Sequence, residues 1–159
     1  MSTTVHSDTG VLRGVTASAR ALASLPDIGY ADRCTRVTDV AATPEQWARA
    51  MFGDVPSAAE RFLWRGLLGL RLDRRSSPDT VAGWRVGGRG EDWIRLEAAS
   101  RSLRGNLIVR TAGRRVSLTT CLQYDRWWAR VVWPPLSAVH RSLVPGVLRD
   151  ADRRLRARG

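Results

Sequence analysis

The sequence predicts an α+β domain in which a curved antiparallel sheet wraps a long C-terminal helix, and three observations predict it. From Val81 onward the apolar residues recur with a period of two, and tight-turn residues separate the runs. Ahead of that region stand two helix starts, each written as a capping box. After Pro134-Pro135 the apolar residues return at spacings of three, four and seven. A period of two marks half-buried strands, and a period near 3.6 marks a helix with one buried stripe.

Length and composition are consistent with this class. A chain of 159 residues suits one domain with its own core. Residues 1 to 15 are small and polar and read as a flexible N-terminus, leaving 16–157 as the domain. A short helix is expected around Thr16 to Leu25, stopped by Pro26. Tyr30 to Val40 reads as the first strand. Two short helices follow it. Thr43, Pro44 and Gln46 form a capping box with proline at the first helical position, and Gly53 supplies the stop. Ser57 and Glu60 repeat the box, ahead of Leu63, Trp64, Leu67 and Leu68 at helical spacing.

Five strands are then expected near Val81–Gly87, Trp93–Ala98, Leu103–Arg110, Arg114–Tyr124 and Trp127–Trp133. Gly87-Gly88-Arg89-Gly90, Ala112-Gly113 and Asp125-Arg126 make the turns. Connections this short join antiparallel neighbours, so the strands form a meander. In the last helix Leu136, Val139, Leu143, Val147, Leu148, Ala151 and Leu155 fall on one face. Pro145 interrupts that helix and is expected to kink it between Arg141 and Gly146.

Strand alternation sorts the side chains into two layers. One layer is apolar and includes Trp84, Ile94, Leu96, Leu107, Val109, Leu118, Val131 and Trp133. The other carries Arg85, Arg95, Glu97, Arg104, Asn106, Arg110, Ser117, Gln123 and Arg130. The apolar face needs a cover, and the C-terminal helix is the natural one. Space left between sheet and helix is either plugged by bulky side chains or open to a ligand.

The candidate ligand contacts are Trp64, Trp84, Thr120, Tyr124, Trp127 and His140, which would place a few polar groups in an apolar pocket. Each has a plain packing alternative: Thr120 as a β-branched strand residue, Tyr124 with its hydroxyl at the rim. His140 is also the candidate for catalysis. A general base needs an orienting partner; no carboxylate stands out for that part, and Asp32 on the first strand is one candidate. His6 lies in the loose terminus, which argues against a two-histidine metal site. No nucleophile elbow, phosphate-cradling loop or cofactor motif occurs, and Gly87-Gly88-Arg89-Gly90 lacks the strand-to-helix context.

The net charge of +11 suggests nucleic acid at first sight. All 26 basic residues are arginine, however, and 15 acidic residues are interspersed with them. A coding bias explains this as readily as phosphate binding does, and a solvated basic surface is the preferred reading. The nucleic-acid alternative places Arg85, Arg95, Arg104, Arg110, Trp128 and Arg130 on an outer sheet face, where arginine planes and aromatics would stack on bases. Exposed tryptophans there would equally serve a homodimer. Cys34 and Cys121 read as buried, reduced thiols, and no secretory signal or membrane span is evident, so a cytoplasmic protein is expected.

Several segments carry a resemblance: Tyr30-Ala31-Asp32, Trp47-Ala48-Arg49, Trp64-Arg65 to Gly69-Leu70, Val116 to Thr120, and Val139-His140-Arg141 leading to Pro145. Over residues 20 to 156 the chain resembles an uncharacterised bacterial family of the START-like, polyketide cyclase-like helix-grip superfamily (SRPBCC). The resemblance implies a helix-grip fold with a deep apolar cavity between sheet and helix. It also implies binding of lipids, steroids or polyketides, with cyclase or isomerase activity in some members. It transfers no catalytic residue set, and seven tryptophans are enough to fill such a cavity instead.

Overall fold

A computed structural model describes residues 3–6, 17–53, 69–73, 75 and 77–159. The second predicted helix, with Leu63, Trp64, Leu67 and Leu68, lies outside the described residues. Seven strands form one antiparallel, curved sheet: β1 (Thr3–His6), β2 (Tyr30–Val37), β3 (Thr80–Val81), β4 (Trp84–Arg89), β5 (Trp93–Ala99), β6 (Leu103–Ala112) and β7 (Arg115–Tyr124). The spatial order is β1-β2-β7-β6-β5-β4-β3. Strands β3 to β7 form an antiparallel meander, as expected of this region but without the strand at Trp127–Trp133, and β2 pairs with β7 to bring the first predicted strand beside the last strand of the meander. Thr3–His6, a stretch without a strand signal in the sequence, pairs along β2 as the edge strand.

Turn chemistry explains how the start of the meander departs from prediction. Ala82 and Gly83 take φ of 51° and 87°, and Val81 faces Trp84 across the turn. Two successive positive φ values make the type I′ turn that matches the twist of a hairpin. The predicted single strand is therefore two, β3 and β4. Gly87-Gly88-Arg89, read as a turn, instead continues β4 through a register shift between Val86 and Gly88. A Cβ at Gly87 would collide with the Glu97 carboxyl group, so glycine leaves room for that carboxylate.

Helix α1 (Ala17–Leu22) is short, and α2 (Pro44–Phe52) begins as its capping box dictates. The Thr43 hydroxyl accepts from the Gln46 amide, and the Gln46 side chain accepts from the Thr43 amide. Gly53 closes the helix at φ 72°. The last helix, α3, runs from Ala129 to Arg158. Helices α2 and α3 pack together on one face of the sheet. Between them and the sheet lies the core, which includes Trp47, Met51, Trp84, Leu96, Val109, Leu118, Trp133 and Leu148.

The start of α3 corrects the sequence reading. Trp127–Trp133 was expected to be the fifth strand of the meander, and Pro134-Pro135 the start of the helix. Instead the amides of Asp125 and Arg126 both bond to the Ser102 carbonyl, which ends β7. The amides of Ala129, Arg130 and Val131 then bond to carbonyls three residues back, and the helix begins. Ala129 and Trp133, four apart, are both buried, whereas Val131 is 65% exposed. That is a helical period, and Val131 leaves the apolar layer that strand alternation assigned it. Pro134, Pro135 and Pro145 each remove an amide donor, yet the helix continues across all three. Packing of its buried face overrides local preference, as tertiary contacts commonly do.

The buried face of α3 is also rotated from the predicted one. It presents Ala129, Trp133, Ser137, His140, Val144, Leu148, Ala151 and Asp152. Val139 and Leu143, assigned to the buried stripe, are about half exposed. The buried polar members His140 and Asp152 have partners on or just beyond β2 that hydropathy patterning does not see.

The opposite face of the sheet is not open. The chain after α1 crosses it: the Ser24 amide donates to Asn106 Oδ1 at 2.8 Å, and the Asp27 amide donates to Gln123 Oε1 at 3.0 Å. Arg95 donates to the Leu22 carbonyl at 2.7 Å. Asn106, Ser117, Thr119 and Gln123, assigned by alternation to the polar face, are buried.

Candidate functional site

Strand β2 is an inner strand paired on both sides, and its even-numbered residues face α3. Tyr30 and Asp32 therefore share one face two residues apart. Asp32 lies opposite Thr120 in the β2–β7 register, and His140 comes down on this pair from the buried face of α3. The four side chains meet. Tyr30 donates its hydroxyl to Asp32 Oδ2 at 2.5 Å, and His140 Nε2 lies 3.3 Å from the same oxygen. Thr120 Oγ1 is 3.1 Å from that nitrogen.

These contacts assign the histidine's proton. An ionised carboxylate accepts and never donates, so Nε2 carries the hydrogen that faces Asp32 Oδ2. In the neutral ring Nδ1 then holds a lone pair, and no described residue donates to it. Asp32 thus orients His140 and fixes its tautomer, as an Asp–His pair does when the other ring nitrogen is left to accept a proton. Burial, together with the Asp32 carboxylate it bonds, raises the Tyr30 hydroxyl well above the ordinary phenol range. Tyr30 is therefore a stable donor to Asp32 at any neutral pH.

Aromatic rings enclose the cluster. The Trp133 ring meets Tyr30 edge-on at 5.2 Å and His140 at 5.8 Å. Trp133 is 2% exposed, and its indole Nε1 has no hydrogen-bond partner among the described residues. A buried, unmet N–H costs on the order of 1–3 kcal/mol, so such groups call for an explanation. Cys34 follows Asp32 on the same face. Burial, reinforced by the Asp32 charge, pushes its thiol up to about 11. Burial likewise pushes Cys121 up to about 12, and both thiols are free.

No protein-family model matches the chain, and no curated protein matches it. Among solved structures, it is similar to TTHA0849 from Thermus thermophilus, at 13% identity and a TM-score of 0.30. That match covers 82% of this chain and 99% of the Thermus chain. At such a TM-score the likeness bears on neither fold nor function.

The structure thus brings together Asp32, Thr120 and His140 from the predicted set. Tyr30 and Trp133 join them, and neither was a predicted ligand contact. The signal for Tyr30 was its two-residue spacing from Asp32 on one strand. Trp133 was hidden by its assignment to a strand. Trp84 is buried beside Gly105 and Leu122, and Tyr124 packs its ring on Gly29, so both serve the core here. Trp127 is 77% exposed ahead of α3 and lines no interior space. Trp64 lies outside the described residues.

The arginines of the alternative site are already engaged. Arg85 and Arg95 both pair with Glu97, Arg104 grips Asp125 with two nitrogens at 3.1 Å, and Arg110 pairs with Asp92 at 2.9 Å. Trp128 and Arg130 belong to the start of α3, away from that sheet face. On that sheet face these arginines stand in ion pairs, and Arg95 also donates to the Leu22 carbonyl. Two clefts lie at this side. One of about 660 Å³ is lined by Arg71, Asp73, Thr80, Arg85 and Glu97; one of about 260 Å³ by Ser24, Glu97, Arg104 and Asn106. Among the described residues no cluster of His, Cys, Asp and Glu is arranged to hold a metal ion. None of the helices there is long and apolar enough to cross a membrane.

Proposed function

We propose that this protein binds an apolar small molecule between the sheet and α3, in a helix-grip arrangement, at the Tyr30–Asp32–Thr120–His140 cluster. The observation that carries the reading is the unpartnered Trp133 indole N–H beside that cluster. A ligand with a carbonyl or ether oxygen would accept from Trp133, and a hydroxyl or enol would donate to His140 Nδ1. The remainder of the contact is aromatic and aliphatic, which suits a lipid-, steroid- or polyketide-like skeleton. With Asp32 holding its Nε2–H, His140 is also placed to take a proton from such a ligand, the step a cyclase- or isomerase-like enzyme requires.

A titration with an apolar fluorescent dye, at low and high salt, tests the binding. The expected result is saturable one-to-one binding that salt leaves unchanged and that ketone-bearing competitors displace better than their hydrocarbon analogues. His140→Ala should weaken a hydroxy-ketone competitor about tenfold, and Arg104→Ala should leave it unaltered. A folded protein that takes up no dye would show that the tryptophans fill the interior, and the reading would be abandoned.

A further inference from the structure

The N-terminal half of α3 is apolar on both sides. Its buried face has been described. On the other side Trp128, Val132, Val139 and Leu143 recur at helical spacings and are exposed by 38% to 50%. Val131 at 65% and Trp127 at 77% extend the same surface at its start. Trp128 to Leu143 spans about 22 Å at 1.5 Å per residue. A helix that is apolar all round belongs in an apolar environment, and contiguous exposed apolar surface marks a site of interaction. Two adjacent exposed tryptophans at a strand-to-helix corner sharpen the point, because indole prefers the boundary between apolar matter and water.

Charge selects the occupant. Arg126 and Arg130 flank the tryptophan pair, and Arg101 sits on the β5–β6 turn whose Ser102 carbonyl holds residues 125 and 126. Among the described residues none of these three forms an ion pair with a carboxylate; Asp125, the acid at this corner, pairs with Arg104, and the Arg126 charge acts on it from farther away. The Arg130 guanidinium lies over the Tyr124 ring at 5.8 Å. Beyond the apolar line the helix carries Arg149 and Arg153, the latter 3.9 Å from Asp150. A second copy docking here would bring two molecules of net charge +11, and both sets of corner arginines, face to face. An anionic surface has the complementary sign.

We propose that this face of α3, led by Trp127 and Trp128, docks the protein peripherally on an anionic phospholipid membrane. The indoles sit at headgroup depth with Val131 and Val132 below them, and Arg126 and Arg130 meet the phosphates. Docking of this kind needs no segment that crosses the bilayer. Each arginine near an anionic surface contributes attraction that salt screens, and the apolar residues contribute attraction that it does not.

The test uses the full chain with vesicles of phosphatidylcholine alone or mixed with phosphatidylglycerol, read by co-sedimentation. Brominated phosphatidylcholine in the vesicles reports tryptophan insertion by quenching. The expected result is binding to the anionic vesicles, weaker binding to neutral ones, and quenching of part of the emission. Arg126→Ala with Arg130→Ala should weaken partitioning roughly thirtyfold. Trp127→Ser with Trp128→Ser should abolish the quenching, and both variants change exposed positions outside the core. Three results would overturn the proposal: no binding to anionic vesicles, equal binding by the tryptophan variant, or a concentration-dependent dimer in solution that the tryptophan variant abolishes.

Discussion

Two polar clusters join β2 to α3, and they differ in how fully their carboxylates are satisfied. At one end of β2, Asp32 accepts from Tyr30 and His140. At the other, Asp152 is held by three groups: Arg36 at 3.4 Å, Thr38 at 2.5 Å and Arg156 at 3.0 Å. Arg156 also pairs with Asp39 at the strand's exit. The two helix residues concerned, His140 and Asp152, are twelve positions apart, about 18 Å along the axis. His140 and Asp152 both lie on the buried face of α3, so the strand, the helix and the packing are common to the two clusters. What separates them is the number of donors on each carboxylate. Three side chains donate to Asp152, and together they work as a clasp. The Asp32 cluster leaves His140 Nδ1 and Trp133 Nε1 unmet by described residues, which is the capacity the proposed ligand would use.

Removing Asp152 should have the largest effect. Asp152→Ala leaves the buried Arg36 without this counter-ion and Thr38 without its acceptor, at a cost of about 3–5 kcal/mol in urea unfolding. Burial works to raise the Asp152 carboxyl, but hydrogen bonds from Thr38 and Arg156 and the charges of Arg156 and Arg36 bring it below the ordinary range. A carboxyl depressed in the folded state stabilises above its unfolded value, about 3.9, and the contribution disappears as pH falls through the folded value. Wild-type stability should therefore drop below about pH 4, and the drop should be shallower in Asp152→Asn. An acid limb unchanged by Asp152→Asn would contradict the clasp.

The Asp32 cluster should respond less, and at the other end of the pH scale. Tyr30→Phe removes one hydrogen bond, about 1 kcal/mol at neutral pH. Because the folded state raises the Tyr30 hydroxyl, it stabilises below the unfolded value, about 10, and that stability is lost as pH rises beyond it. Unfolding followed above pH ~10 should show a shallower alkaline decline in Tyr30→Phe than in the wild type.

The same contrast explains what the sequence disclosed and what it hid. The meander could be read because alternation, turn residues and strand length all agreed at Trp93–Ala99, Leu103–Ala112 and Arg115–Tyr124. The start of α3 could not, because Arg130-Val131-Val132-Trp133 has the composition of a strand and Pro134-Pro135 the grammar of a boundary. Burial of Ala129 and Trp133 against the sheet decided otherwise, and no local pattern carries that information. The face of α3 was misplaced for a related reason. Apolar Val139 and Leu143 were assigned inward and polar Asp152 was not, although it had partners on or just beyond β2. Within the site, His140 with Asp32 and Thr120 was open to sequence reasoning, since a histidine acting as a base needs an orienting carboxylate. Trp127 was not, because its position follows from where a helix begins.

The measurement that bears most directly on this contrast is nitrogen-15 NMR of the side chains during titration with an apolar hydroxy-ketone. The chain has two histidines, His6 and His140, so the imidazole signals are readily separated. Without ligand, His140 should show the Nε2–H tautomer. On titration its Nδ1 and the Trp133 indole N–H should shift together to saturation, while the Arg36 and Arg156 guanidinium signals stay where they were. Shifts at the clasp with none at His140 and Trp133, or no shift anywhere at ligand saturation, would contradict the account.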